Sequence, residues 1–122
     1  MAAAEIGRHI HSSVNIWADI ILDTGLGGFA GTLFRPEEGF AGALPDVLYP
    51  AALADRIAGK RLSGETDLAI FVSRDVNWDL SKTIDSGGRP SLFRVMMHEI
   101  GHGLGHTSRF QLDTSTGRGT IG

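Results

Sequence analysis

The residues of this chain best placed to do chemistry are His98-Glu99-Ile100-Gly101-His102: two imidazoles four positions apart, with a carboxylate beside the first. On a helix, residues at that spacing hold their Cβ atoms ~5–6 Å apart. Both rings can then reach one cation at ~2.0–2.1 Å. Zinc is the ion expected, because imidazole suits it and it needs no particular redox environment. Glu99 adjoins the first ligand, where it can contact a water on the metal rather than the metal itself, as the HExxH spacing requires. A chance match occurs in about one chain in several hundred of this size, on ordinary residue frequencies. The competing reading is a helix that merely exposes two histidines. It leaves unexplained why Gly101, Gly103 and Gly105 interrupt a good helix former, each glycine inside a helix costing about 1 kcal/mol relative to alanine.

A catalytic zinc site needs three protein ligands and an open position. His106 is the nearest further imidazole. On an unbroken helix it would lie about 12 Å along the axis from His98, so only a sharp turn at Gly105 could bring it back. Asp113 is a second possible ligand, through oxygen, and a residue beyond the end of the chain is a third. Elsewhere, Asp75, Asn77 and Asp79 form an Asp-x-Asn-x-Asp run of the kind found in calcium loops. Leu80 stands where the turn glycine belongs and Ser86 where the bidentate glutamate belongs, so a solvated loop is the better reading. His9 and His11 are two apart, face different ways on a helix and read as surface histidines. Trp17 and Trp78 read as packing residues.

These groups need elements to hold them. Pro90-Ser91 open a helix that runs to about Gly105. At about 100° per residue, Phe93, Met97, Ile100 and Leu104 fall within about 60° of one another, which predicts the core face. His98 and His102 lie on the opposite side, about 40° apart. Val14, Ile16, Ala18, Ile20 and Leu22 alternate with polar residues and predict a strand over 14–21. A second strand is expected over 67–73, where Leu68, Ile70 and Val72 alternate with their neighbours; it would be an edge strand able to receive an extended peptide. Pro50 opens a helix through Ala58 that Gly59 stops. Residues 3–11 suggest a short first helix, weakened by Gly7. The glycine-rich stretch 24–46 reads as loop with a short strand near 29–34, its two Gly-Phe-Ala-Gly segments as tight turns, and 74–89 as a polar connection. The expected fold is α+β: a small mixed sheet packed on helices, with the histidine helix near the C-terminus.

Composition narrows the function classes. The 122 residues, 42% hydrophobic and 20% charged, fit one globular domain and exclude long disorder. No cysteine is present, which excludes a disulfide scaffold, a thiolate zinc finger and a cysteine nucleophile. Eleven basic residues against fourteen acidic, with Lys60-Arg61 the densest basic pair, argue against nucleic-acid binding. Apolar runs such as Ile20-Ile21-Leu22 are far short of the ~20 residues that span a bilayer. The start, Met1-Ala2-Ala3-Ala4-Glu5, shows no signal peptide, as expected of a cytoplasmic protein or of a mature or trimmed form.

The run Val95-Met96-Met97-His98-Glu99-Ile100-Gly101-His102-Gly103-Leu104-Gly105 resembles the active-site helix of zincin metallopeptidases. Gly105, three residues after the second histidine, resembles the metzincin branch, whose pattern is HExxHxxGxxH. Val47-Leu48-Tyr49-Pro50-Ala51-Ala52-Leu53-Ala54, the segment Asp67-Leu68-Ala69-Ile70-Phe71-Val72 and Trp78 are similar to a bacterial group of secreted-type metallopeptidase domains. The resemblance spans roughly residues 14–107, with the helix motif its specific part. It implies that His98 and His102 bind zinc and that Glu99 is the general base of a zinc metalloendopeptidase. The substrate would be a peptide or protein, the molecule a monomer, and neither nucleic acid nor membrane a partner; the compartment implied is extracellular. The chain departs from the metzincin pattern at the third ligand position, which is Ser108, and no methionine turn follows the motif. In leishmanolysin-like relatives the third histidine comes from much further downstream. The chain is therefore expected to be one zincin-like domain over 1–122, or an N-terminal subdomain without its C-terminal part. The alternative function is a non-catalytic or truncated metal-binding module that serves as a binding or structural domain. A third is a structural domain whose histidines bind nothing.

Overall fold

The computed structural model describes residues 2–26, 28–82, 87–106, 110–113 and 118–121, the last two segments by their backbone. In chain order the elements are α1 (Ala2–Gly7), β1 (Ala18–Asp23), β2 (Ala30–Phe34), β3 (Pro36–Glu37), β4 (Tyr49–Pro50), α2 (Ala51–Ala58), β5 (Leu68–Ser73), α3 (Leu92–Gly103), β6 (Phe110–Asp113) and β7 (Arg118–Ile121). The fold is α+β. Its main sheet is mixed, in the order β1-β5-β2, with β1 parallel and β2 antiparallel to β5. Two-stranded pairs β3-β4 and β6-β7 complete the described strands. Among the described residues no helix is long and apolar enough to cross a membrane.

Local sequence explains most of the boundaries. Gly59 takes φ 70° and stops α2, its N–H bonded to the carbonyl of Arg56. Ser91 caps α3 by accepting the N–H of Arg94 on its hydroxyl. The first helix is shorter than the expected 3–11, ending at Gly7 with Arg8 and His9 in a turn. The first strand begins at Ala18 rather than Val14. Val14 is held in a local turn by the Ser12 hydroxyl, and pairing starts only where Ala18 meets Leu68, the first residue of β5.

The second strand departs from expectation in a way that matters for function. It is not an edge: β5 is paired on both sides and is the most buried strand, with Leu68, Ile70 and Val72 turned into the core. The edges belong to β1 and β2. All six residues of β1 are exposed.

The long helix is also turned from its predicted orientation. The face it buries carries Met96, Glu99 and Gly103, about 90° around the helix from the Phe93–Met97–Ile100–Leu104 stripe; Leu92 and, from that stripe, Ile100 pack against the same core. Two contacts set this rotation. Gly103 lies so close to Leu68 that an added Cβ would come within 2.8 Å of Leu68 Cδ1. Thr32 draws Glu99 inward by hydrogen bonds to its carboxylate and its carbonyl. The apolar stripe is left half-buried along grooves shared with α1 and β1. Gly101, by contrast, has open space where a Cβ would stand, so close packing accounts for Gly103 and not for Gly101.

A closed charge cluster ties the entrances of β1 and β5 to α2. Asp67 is fully buried; its Oδ2 accepts the Trp17 N–H at 2.8 Å and Arg61 Nη1 at 3.2 Å, and Arg35 Nη2 lies 3.6 Å from Oδ1. Asp55, also buried, accepts the Leu62 N–H and lies 3.7 Å from Arg61. Arg35 pairs further with Glu37. The Arg61 guanidinium stacks 3.8 Å from the centre of the Trp17 ring, so Trp17 serves as a partly exposed cation platform rather than a core residue. Arg61, half of the densest basic pair, is thus engaged within the fold.

Candidate metal centre

The two histidines of α3 converge. His98 Nε2 and His102 Nε2 are 2.8 Å apart, with the rings perpendicular and their centroids 4.4 Å apart. The helical spacing alone brings the rings to the same side; a main-chain contact then fixes one of them. Gly105 adopts φ 99° and folds the chain back, and His106 N–H bonds the Gly101 carbonyl. The carbonyl of His106 is thereby brought to 2.8 Å from His102 Nδ1. A carbonyl only accepts, so His102 Nδ1 carries the proton and its Nε2 keeps a lone pair. Between neutral rings, His98 then donates to His102 across the 2.8 Å gap.

This donor set fits a zinc ion. Two nitrogens on a tetrahedral ion at ~2.0–2.1 Å are about 3.3 Å apart, so the rings would separate by about 0.5 Å and the His98 proton would move from Nε2 to Nδ1 to free the ligating lone pair. A ligand histidine whose other nitrogen donates to a backbone carbonyl is a recurrent feature of metal sites, since it fixes tautomer and ring orientation together. His98 is exposed and His102 half-buried, so the pair is accessible.

Glu99 is only 7% exposed, yet it lines an open cleft together with His98, Phe29, Ala30, Arg94 and Val95. Its Oε2 lies 2.7 Å from Thr32 Oγ1, which also stands 2.8 Å from the Glu99 carbonyl oxygen. One hydroxyl proton is shared between these two acceptors, and the carboxylate is held from β2. Phe29, at the mouth of the cleft, packs edge-on against Trp78, whose Nε1 donates to the Ser73 carbonyl at 2.8 Å. Trp78 is a packing residue, as its sequence suggests.

The structure brings His98 and His102 together, sets Glu99 in the cleft beside His98 and leaves the third ligand open. Among the described residues no group of three histidine, aspartate or glutamate side chains gathers around one point. His106 is exposed, and its contact with the pair is made by its backbone carbonyl. Ser108 lies outside the described residues, and Asp113 is described only as backbone in β6. The carboxylates of the Asp75–Asn77–Asp79 run hold separate neighbours. Asp75 accepts the Gly25 N–H, whereas Asp79 accepts both the N–H and the hydroxyl of Ser81, with Arg89 3.8 Å away. The Ser81 bonds, with Arg89 adding to them, hold the Asp79 carboxyl below the usual range against the opposing effect of burial. Ser86 lies outside the described residues. His9 and His11 are exposed, as expected. Thr32 and the carbonyl of His106 are the parts that sequence reading missed. Thr32 carries no motif, and a main-chain oxygen leaves no mark in a sequence.

Compared with protein-family models, curated proteins and solved structures, the chain finds no match.

Proposed function

We propose that the chain carries a zinc-dependent peptidase site, a metalloendopeptidase centre in which His98 and His102 hold the ion and Glu99 is the general base. The observation that supports it most directly is the pair of Nε2 atoms facing each other at 2.8 Å, with one ring fixed by the His106 carbonyl. The third ligand would be the His106 side chain, Asp113 or a residue outside this chain. Zinc, when bound, supplies a Lewis acid that acidifies water and polarises a carbonyl. Glu99, lining the cleft beside His98, accepts a proton and delivers it to the leaving amine. Thr32 occupies Oε2, so Oε1 is the oxygen left for that transfer.

An extended peptide docks on the free edge of β2 rather than on β5, both of whose sides are already paired. Arg35 N–H bonds the Asp67 carbonyl and Ser73 N–H bonds the Phe29 carbonyl. The odd-numbered residues of β2 therefore face β5, and Ala30 and Thr32 turn their main-chain groups to the open side. Ala30 also lines the cleft with His98 and Glu99, so a strand added there passes the candidate base.

A second reading, a metal-binding module without catalysis, is favoured by the lack of a third ligating side chain among the described residues. Metal analysis of the purified chain, with peptide cleavage measured with and without chelator, separates the two. Stoichiometric zinc and chelator-sensitive cleavage support the peptidase. Zinc without cleavage supports the module, and no zinc at all sinks both.

A further inference from the structure

The contact between Thr32 and Glu99 joins residues 67 positions apart in sequence and ties the candidate base to β2. Its geometry is specific. The 2.7 Å separation from Oε2 is in the range of a hydroxyl donating to a carboxylate. The bond forms where Glu99 is almost fully buried, so water competes little for it. Thr32 also has a second role by position. Its side chain projects from the sheet onto α3, while its main-chain N–H and C=O point to the open edge of β2. One residue therefore touches both the carboxylate and the strip of backbone on which a substrate strand would lie.

We propose that Thr32 is a positioning residue for Glu99. Its hydroxyl fixes one carboxylate oxygen so that the other is presented to the cleft, and its place on the β2 edge sets the register between that oxygen and the bound peptide. The proposal rests on the peptidase reading and names a device within that site. Threonine suits the role because its β-branched side chain has few rotamers and favours a strand, which holds the hydroxyl at a fixed height above the sheet. Valine matches that shape without the hydroxyl, and serine keeps the hydroxyl without the methyl.

The test compares peptide cleavage by the full zinc-loaded chain with that of Thr32→Val and Thr32→Ser, alongside zinc stoichiometry and thermal unfolding. Thr32→Val should lower kcat about 10–100-fold, the usual effect of removing a partner that orients a metal-site group. KM should stay within about twofold and bound zinc should be unchanged, because neither ligand is touched. Thr32→Ser should recover most of the lost kcat. An active wild-type chain in which Thr32→Val leaves kcat unaltered overturns this proposal alone. So does a loss of kcat that Thr32→Ser fails to recover and that tracks a fall in melting temperature, since that pattern marks packing. A wild-type chain that binds zinc but cleaves nothing overturns the peptidase reading, and this proposal with it. Thr32→Ala gives the same comparison should Thr32→Val not fold.

Discussion

Two polar clusters stand at different places, one at an end of the main sheet and one on the helix packed against it, and they are built on opposite principles. At the entrance of β5, Asp67 and Asp55 are fully buried and face Arg35 and Arg61, with a backbone N–H, from Trp17 or Leu62, on one oxygen of each carboxylate. A buried charge is tolerated there because a counter-charge sits beside it. On α3, His98, His102 and Glu99 have no such counter-charge within reach among the described ion pairs. The two imidazoles point lone pairs and protons at each other, and the carboxylate is held by a neutral hydroxyl beside an open cleft. The first arrangement is closed and serves the fold. The second lies beside a cleft, with His98 exposed to solvent.

The sharpest break of this contrast is His102→Ala, which should abolish zinc binding and cleavage together while leaving the Asp67 cluster and the fold intact. Retained cleavage would place the chemistry elsewhere. Glu99→Gln comes next: it should lower cleavage by about 10²–10⁴-fold, the range of a general base, with zinc content nearly unchanged. Simultaneous loss of zinc would assign Glu99 a structural role instead. On the buried side, Asp67→Ala removes the carboxylate shared by Arg35 and Arg61, leaving them Glu37 and Asp55, and should destabilise the chain by about 3–5 kcal/mol in denaturant unfolding. Bound zinc should then survive under native conditions; if the metal is lost while the chain is still folded, the two clusters are not independent. The smallest effect concerns Asp79. Its carboxyl is held low by Ser81, so it contributes stability that is full above its unfolded value of about 3.9 and disappears as pH falls through the lower folded value. Acid unfolding of Asp79→Asn should therefore converge with that of the wild type at strongly acid pH and diverge above it.

How far the fold could be read from sequence depended on the range of the interactions involved. Pro50 and Gly59 bracket α2, and Ser91 starts α3, because caps and stops act over a few residues. The alternation of Leu68, Ile70 and Val72 found β5 for the same reason. Whether that strand was central or peripheral depended on partners 34 to 50 residues upstream, which local periodicity cannot register. The rotation of α3 was missed because hydropathy takes a glutamate for a surface residue, whereas here Thr32 compensates its burial and Gly103 admits Leu68. The histidine pair was legible because its spacing equals one helical turn. The third ligand was not, since nothing local determines where a loop returns.

The support beneath His102 is a carbonyl, and this gives the site an uneven vulnerability. Replacing the imidazole at 106 leaves that oxygen in place, whatever the ring itself contributes, so a side-chain scan passes over the residue that orients the His102 ring. The sensitive point moves one position back. Gly105 holds φ 99°, and a methyl group there would meet Pro50 Cγ at 2.7 Å. Almost any replacement would swing the carbonyl away. The pivot of the imidazole pair is thus guarded by a residue with no side chain and exerted through an atom that every residue shares.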